Sequence, residues 1–114
     1  MATDQVVSYA YEGMAQLNDI IVDGVKMLNV VKLTWIDLYA QGAPTGADLQ
    51  ITLTKNAIST PAVATLAAGS KSQPTNIADQ TFDTTDAIGF KITQIGSTFA
   101  GEGIKVILHY EKVS

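Results

Sequence analysis

The chain has 114 residues, of which 46% are hydrophobic and only 16% charged, and it contains no cysteine and a single histidine, His109. This composition excludes a disordered chain, and the missing thiols exclude a disulfide framework, a thiolate zinc site and a cysteine nucleophile. Eleven acidic residues against seven lysines and no arginine give a net charge of −4, which disfavours nucleic-acid binding because a phosphate backbone requires a basic patch.

Membrane insertion and ordinary secretion are also not expected. No apolar run is long enough to cross a bilayer, and the longest uncharged stretch, 56–70, is rich in Ser, Thr and Ala and contains Pro61. The N-terminus carries Asp4 and Glu12 and has no lysine before Lys26, which is not the pattern of a signal peptide.

The first strand signal is the alternation of apolar and small or polar residues over 7–11. The segment 12–28 leaves two interpretations open. Met14, Leu17 and Ile20 have helical spacing, whereas the β-branched Ile-Ile-Val sequence followed by Asp-Gly predicts a strand and a turn. We favour the strand.

Residues 30–39 are rich in β-branched and aromatic side chains, which predicts a long strand. Its apolar set shifts from the odd-numbered positions Val31, Leu33 and Trp35 to the even-numbered positions Ile36 and Leu38. Either both faces of this strand are buried or a β-bulge lies near Trp35. We favour burial of both faces.

Three later segments, 49–54, 88–93 and 104–111, alternate with period two. In the last of them the predicted core face holds Ile104, Val106, Leu108 and Tyr110, and the opposite face holds Lys105, Ile107, His109 and Glu111. Turn residues separate all these segments at short intervals. About eight short strands predict an all-β fold, a single antiparallel β-sandwich of jelly-roll type.

Four short sequences and one aspartate occur in the order and spacing that a known module has. They are residues 43–49 (APTGADL), Lys55-Asn56, residues 66–70 (LAAGS), Asp86 and residues 94–106 (QIGSTFAGEGIKV). The set resembles a small jelly-roll β-sandwich module of tailed-phage virion proteins, which occurs in head decoration or cement proteins and at fibre tips. The resemblance covers about residues 30 to 110. We therefore divide the single domain into 1–29, an N-terminal arm with the first strands and a possible capsid or neighbour contact, and 30–114, the β-sandwich module.

The matched turn residues are interpreted as determinants of the fold. They are Pro44, Gly46, Asn56, Gly69, Gly96, Gly101 and Gly103. The module usually has glycine where this chain has Ala57 and Thr85. Because Ala57 removes the Asn-Gly signal of a type I′ turn, we expect a longer or differently shaped loop in that hairpin.

The resemblance implies a structural protein on the capsid exterior of a virion, made in the host cytoplasm. We expect a decoration or cement protein that forms a homotrimer and stabilises the head by bridging subunits of the major capsid protein. The expected capsid or subunit contacts are Ala2, Thr3, Asp4, Gln5, Lys105, Ile107 and His109. Deleting 1–28 should then abolish capsid binding and leave the sandwich folded.

The alternative function is a head- or tail-fibre tip that binds a host receptor or glycan through a loop at 70–85. A chain that begins as a free-standing domain, without a fibre shaft, favours decoration over this alternative.

Catalysis and cofactor binding are not expected. Nucleophilic catalysis would require His109 beside a serine, but the chain has no Gly-x-Ser-x-Gly motif, and His109 is expected to be a surface or subunit-contact residue. Asp79, Asp83 and Asp86 are candidate oxygen ligands for Ca²⁺ but lack the spacing of an EF-hand, so we expect them to cap turns.

The aromatic residues offer one further candidate, a platform on which a sugar ring would stack. They are Tyr9, Tyr11, Trp35, Tyr39 and Phe99. We expect them in the core or at a subunit contact instead, because such rings are usually buried there.

Overall fold

The computed structural model describes residues 4–113, apart from the side chains of residues 4, 78 and 79. The eight strands are β1 (Asp4–Met14), β2 (Ile20–Val25), β3 (Val31–Gly42), β4 (Leu49–Lys55), β5 (Ile58–Leu66), β6 (Ser72–Phe82), β7 (Ile88–Gln94) and β8 (Glu102–Lys112). The all-β prediction is confirmed. The strand interpretation of the segment 12–28 is confirmed as well, since β1 ends and β2 lies within it.

The strands form two four-stranded antiparallel sheets that pack face to face. The first sheet has the order β1-β8-β3-β6 and the second sheet the order β2-β7-β4-β5. Successive strands change sheet except at the β4–β5 hairpin, so most strand pairs join segments far apart in sequence. This strand order is that of a jelly roll, as predicted.

The core fills the space between the sheets with side chains from alternate strand positions. Ile104, Val106 and Leu108 of β8 are fully buried, as predicted, and Tyr110 is partly buried against the same cluster. From the second sheet, Phe90 is completely buried. Each large apolar side chain buried in this way contributes about 1.5–3 kcal/mol.

A β-bulge interrupts β3 at Thr34. Leu33 pairs with Tyr110 but Trp35 pairs with His109, so β3 has one more residue than β8 between these pairs. The bulge keeps both Leu33 and Ile36 in the core and turns Trp35 outward. The expectation that both faces of this strand are buried is therefore wrong. The Thr34 hydroxyl donates a hydrogen bond to the His109 carbonyl oxygen at 3.0 Å, which ties the bulge to β8.

The N-terminal segment is an integral part of both sheets. β1 pairs with β8 at the edge of the first sheet, and β2 pairs with β7 at the edge of the second. Tyr9 packs on Phe90 with a centroid distance of 6.0 Å, and this burial, with a smaller contribution from Tyr110, raises the pKa of the Tyr9 hydroxyl. Residues 30–114 therefore lack one edge strand of each sheet, and the structure gives no support to the expectation that they stay folded without residues 1–28.

The β4–β5 hairpin turns through two residues, Asn56 and Ala57, between the paired residues Lys55 and Ile58. Asn56 has φ 53° and Ala57 has φ 67°, the positive angles of a type I′ turn. The expectation of a longer or different loop is wrong. The turn is held from outside: Asn56 exchanges backbone and side-chain hydrogen bonds with Ala87 at 2.8 and 2.9 Å.

Replacing Ala57 with glycine is expected to stabilise the protein by about 0.5–1 kcal/mol. An alanine in the left-handed region costs about 1–2 kcal/mol, and the greater freedom of glycine in the unfolded chain offsets part of the gain. Denaturation by urea measures the difference. The matched variant Asn56→Gly should destabilise the protein, because it loses the side-chain bonds to Asp86 and Ala87. Equal effects of the two substitutions would contradict this explanation.

Candidate functional site

The outer face is the surface of the first sheet that points away from the core. Strand pairing sets three rows of side chains that begin in β1: Val6, His109, Trp35 and Asn76; Ser8, Ile107, Asp37 and Pro74; and Ala10, Lys105, Tyr39 and Ser72. Next to the first of these rows, Glu111, Lys32 and Thr81 extend the same face with charged and polar groups. Of the residues predicted to make contacts, Lys105, Ile107 and His109 therefore lie together on this surface.

His109 is held from two sides at the middle of the outer face. Its ring stacks on that of Trp35 with a centroid distance of 4.2 Å and an interplanar angle of 23°. Its Nε2 lies 2.9 Å from Oδ2 of Asp37, a charge-assisted hydrogen bond when the ring is protonated. His109 thus contacts both other side chains, and we call the three residues the His109 cluster.

The geometry of the His109 cluster suits a contact surface. The direct cross-strand neighbours of His109 are Val6 and Trp35, neither of which carries a nucleophile. Val6 is 57% exposed and Tyr39 48%, so two exposed apolar or aromatic side chains lie on the same face as the cluster. Aromatic residues are enriched at the centre of protein interfaces, and charged residues such as Lys32, Lys105 and Glu111 are typical of the rim.

A shallow groove of about 450 Å³ crosses one end of the outer face. Its lining includes Tyr39, Gln41 and Lys105 together with Glu12 of β1. The groove combines one exposed aromatic ring with amide, carboxylate and ammonium groups. This mixture can donate and accept hydrogen bonds around a flat apolar contact.

The predicted N-terminal contacts fall partly outside the described residues. Ala2 and Thr3 lie outside them, whereas Asp4 and Gln5 begin β1, opposite Glu111 and Tyr110. The strand then continues to Val6, which pairs with His109. The N-terminal and C-terminal groups of predicted contacts thus adjoin each other on neighbouring strands.

Most of the predicted turn residues meet at one end of the sandwich, which we call the loop end. Thr45 forms a β-bridge with Phe99, and the Gly69 amide donates to the Pro44 carbonyl oxygen at 2.7 Å. The Gly96 amide donates to the Ala100 carbonyl oxygen at 3.1 Å. The remaining loop-end residues are Gly46 and Gly101, whereas Gly103 lies in β8 against Gln41 and Asn56 lies in the β4–β5 turn. These loops are tied to one another by backbone bonds.

Residues 70–85 do not form the loop that the fibre-tip alternative requires. Residues 72–82 are β6, an edge strand of the first sheet. The alternation of this segment is interrupted where the β3–β6 register shifts between Leu33 and Trp35, which explains why no strand was evident from the sequence.

The aromatic residues are divided among separate places. Tyr9 packs on the core, and the Tyr11 hydroxyl donates to Oδ2 of Asp19 at 2.5 Å, a bond that raises the pKa of Tyr11. Trp35 and Tyr39 lie on the outer face, and the Phe99 ring lies against Gly42. A single sugar-stacking platform of all five rings is therefore not formed.

The acidic residues 83 and 86 are bound to their own turn. The Asp83 carboxylate accepts from the Thr85 hydroxyl at 3.0 Å, and Oδ2 of Asp86 accepts from the Asp83 amide at 3.0 Å. Asp86 also accepts from the Asn56 side chain at 3.0 Å and lies 3.5 Å from Lys55 Nζ. Among the described residues no three His, Asp or Glu side chains gather in a way that could hold a metal ion, and the side chain of Asp79 lies outside them.

The Asp86 bonds give a prediction for the pH dependence of stability. The Asp83 amide, then Asn56 and Lys55, hold the pKa of the Asp86 carboxyl below its ordinary value of 3.8. A lowered folded-state pKa stabilises the protein fully above about pH 4, and this stabilisation is lost as the pH falls through the folded value. The variant Asp86→Asn should therefore be less stable than wild type at pH 7, with the difference shrinking below pH 4. Urea denaturation at pH 7, 4 and 3 tests this, and parallel pH profiles would contradict it.

Sequence reasoning named Trp35 only as a core or subunit-contact residue and did not name Asp37, and it placed neither beside His109. They are 74 and 72 residues from His109, and strand pairing alone brings them together. The signal that would have found them is the shift of apolar positions at Trp35, which marks the bulge.

No protein-family model matches the sequence, and no curated protein matches it at a significant level. In the described part of the chain, no helix is long and apolar enough to span a membrane.

Proposed function

We propose that the protein is a structural component of a phage virion, a capsid decoration or cement protein without catalytic activity. It binds the exterior of the assembled head and bridges subunits of the major capsid protein. The observation that supports this most is the outer face, where the His109 cluster shares one surface with the exposed side chains of Val6 and Tyr39. The sequence resemblance of residues 30–110 supplies the virion context.

Such a protein stabilises its target by mass action. It binds the assembled lattice and not the separate subunits, so every occupied site adds to the stability of the lattice. Clustering of three copies at a symmetry axis would multiply a modest contact by avidity, which is the reason to propose a homotrimer.

The first test is the number of copies of this chain relative to the major capsid protein in purified particles, measured by quantitative mass spectrometry. A ratio of the same order as the capsid protein is expected for a decoration protein. Absence of the chain from the particles would overturn the proposal.

The outer face can be tested by the variant Trp35→Ala. We expect binding to undecorated heads to weaken by about thirtyfold or more, because a central aromatic residue in an interface contributes about 2 kcal/mol or more. Co-sedimentation with heads measures occupancy, and circular dichroism checks the fold. The matched control is Ile58→Ala, which removes an apolar side chain 71% exposed on another strand. Undiminished binding of the folded Trp35 variant would exclude this face as the contact.

A second candidate function is a fibre tip that binds a host glycan. The groove lined by Tyr39, Gln41, Lys105 and Glu12 favours it, because it offers an aromatic ring and hydrogen-bonding groups together. Few copies per particle, together with saturable binding of host surface polysaccharide, would support this function over decoration.

A further inference from the structure

The four edge strands of the sandwich differ in how far they are protected. β1 and β6 border the first sheet, and β2 and β5 border the second. An edge strand presents unpaired amide and carbonyl groups on which a further strand can form, and proteins block such edges with proline, lysine, bulges or covering groups.

β5 and β6 are blocked, and partly by each other. Each contains a proline, Pro61 in β5 and Pro74 in β6. In addition, the Thr65 amide of β5 donates to the Thr75 hydroxyl oxygen of β6 at 3.2 Å. Beyond the end of β5, the Ala67 amide donates to the Gln73 side chain at 2.8 Å. This side of the sandwich is closed to another strand.

β2 is blocked by irregularity. Its pairing with β7 shifts register twice within six residues, between Ile20 and Val22 and between Val22 and Val25. Oδ1 of Asp23 accepts from the amide of the next residue, Gly24, at 2.8 Å. A strand this short and bent is a poor template for pairing.

β1 has none of these protections over most of its length. Residues 4–11 pair with β8 without any register shift, and this stretch contains no proline and no lysine. Among the described strands only β8 pairs with it, so its other edge is unpaired. Eight regular residues extend about 27 Å, which is long enough for a stable additional strand.

The segment of the sequence that forms β1 and β2 is acidic. Residues 1–25 contain four of the eleven acidic residues and none of the seven lysines, so the other seven acidic residues balance the lysines. The net charge of −4 therefore comes from the segment that forms β1 and β2. The nearest lysines in the pairing are Lys105, opposite Ala10, and Lys91, opposite Ile20. Lys26 and Lys112 line a pocket with Gln5 at the start of β1.

We propose that the free edge of β1 is a strand-acceptor site, to which an extended segment of a partner protein adds as a fifth strand of the first sheet. The partner segment carries lysine or arginine between β-branched residues. Main-chain hydrogen bonds to residues 4–11 supply the affinity, and the acidic segment that forms β1 and β2 selects the basic partner segment. The inference does not depend on the proposed virion role.

The test uses the full chain and a capped nine-residue peptide of alternating valine and lysine, with a second peptide that has glutamate in place of lysine. Amide hydrogen exchange locates the binding. At saturating basic peptide, exchange over residues 4–11 should slow by about tenfold or more, while β2, β5 and β6 are unchanged and the acidic peptide has no effect. Unchanged exchange in β1, equal protection of another edge or equal protection by the acidic peptide would overturn the proposal.

Two variants with the same change in net charge show whether the location of the charge matters. Glu12→Gln removes an exposed negative charge from β1, and Thr84→Lys adds a positive charge in the exposed β6–β7 turn. The first should weaken the basic peptide about threefold at low salt, the magnitude of one exposed charge pair, and the second should leave its affinity unchanged. Equal weakening by both variants would mean that only the net charge of the protein affects peptide binding. That result would contradict a site at β1.

Discussion

Replacing Gly96 with alanine is expected to destabilise the protein by about 3 kcal/mol or more, a large part of the net stability of a domain of this size. A Cβ atom at Gly96 would overlap the Phe99 carbonyl oxygen and lie 2.8 Å from the Thr45 carbonyl oxygen. Both atoms belong to the backbone of the loop end, where Thr45 and Phe99 form a β-bridge. Neither can move without breaking that bridge, so the strain is not relieved by a side-chain rotation.

The matched variant is Gly69→Ala in the same cluster of loops. Gly69 has φ +84° but nothing within 4 Å of its Cβ position, so this substitution costs only the backbone strain, about 1–2 kcal/mol. Urea denaturation of the two variants compares the costs directly. If Gly96→Ala is no worse than Gly69→Ala, the loop end is not the close-packed structure described here.

Removing residues 1–28 is expected to prevent folding of the remainder. The deletion takes one edge strand from each sheet and removes the partly buried Val7, Tyr9, Ile21 and Val22 from the margin of the core. Partial burial of several such side chains contributes about as much as the whole net stability of a small domain, about 5–15 kcal/mol. Size-exclusion chromatography and near-ultraviolet circular dichroism should show an aggregated or non-cooperative chain. A monomer of residues 29–114 that unfolds cooperatively would contradict this and restore the earlier expectation of an independent module.

A contact role of the N-terminal strand therefore has to be tested without deleting it. The variant with threonine at positions 6, 8 and 10 changes only exposed side chains of β1 and keeps good strand propensity. It should unfold at the wild-type urea concentration. Any loss of head binding in this variant can then be assigned to the surface and not to the fold.

The outer face and the free edge of β1 are continuous. Val6, Ser8 and Ala10 begin the three rows of the outer face and also lie on the edge strand. A strand added to β1 would extend the outer face by one strand and place its outward side chains beside these residues. One partner could therefore use main-chain pairing at the edge and side-chain contacts at the His109 cluster together.

The fold class and the faces of the regular strands could be predicted from the sequence alone. A period-two alternation leaves a strand only one apolar face, so the inward positions 104, 106 and 108 and the outward position of Ile107 followed directly from local pattern. The turns between the segments could also be recognised from neighbouring residues alone. For the same reason the sequence placed Lys105, Ile107 and His109 on one surface.

Features formed between residues far apart in the sequence could be recognised only in the folded structure. The apolar positions around Trp35 fit both a doubly buried strand and a bulge. The pairing of β3 with β8, which skips Thr34, selects the bulge, and the Thr34 hydroxyl donates to the His109 carbonyl oxygen there. Ala57 adopts the positive φ that is usual for glycine in this turn. The turn is held by the hydrogen bond between Asn56 and Ala87, 31 residues away. The His109 cluster and the unpaired edge of β1 are likewise set by which strands become neighbours, and in a jelly roll most neighbours are far apart in sequence.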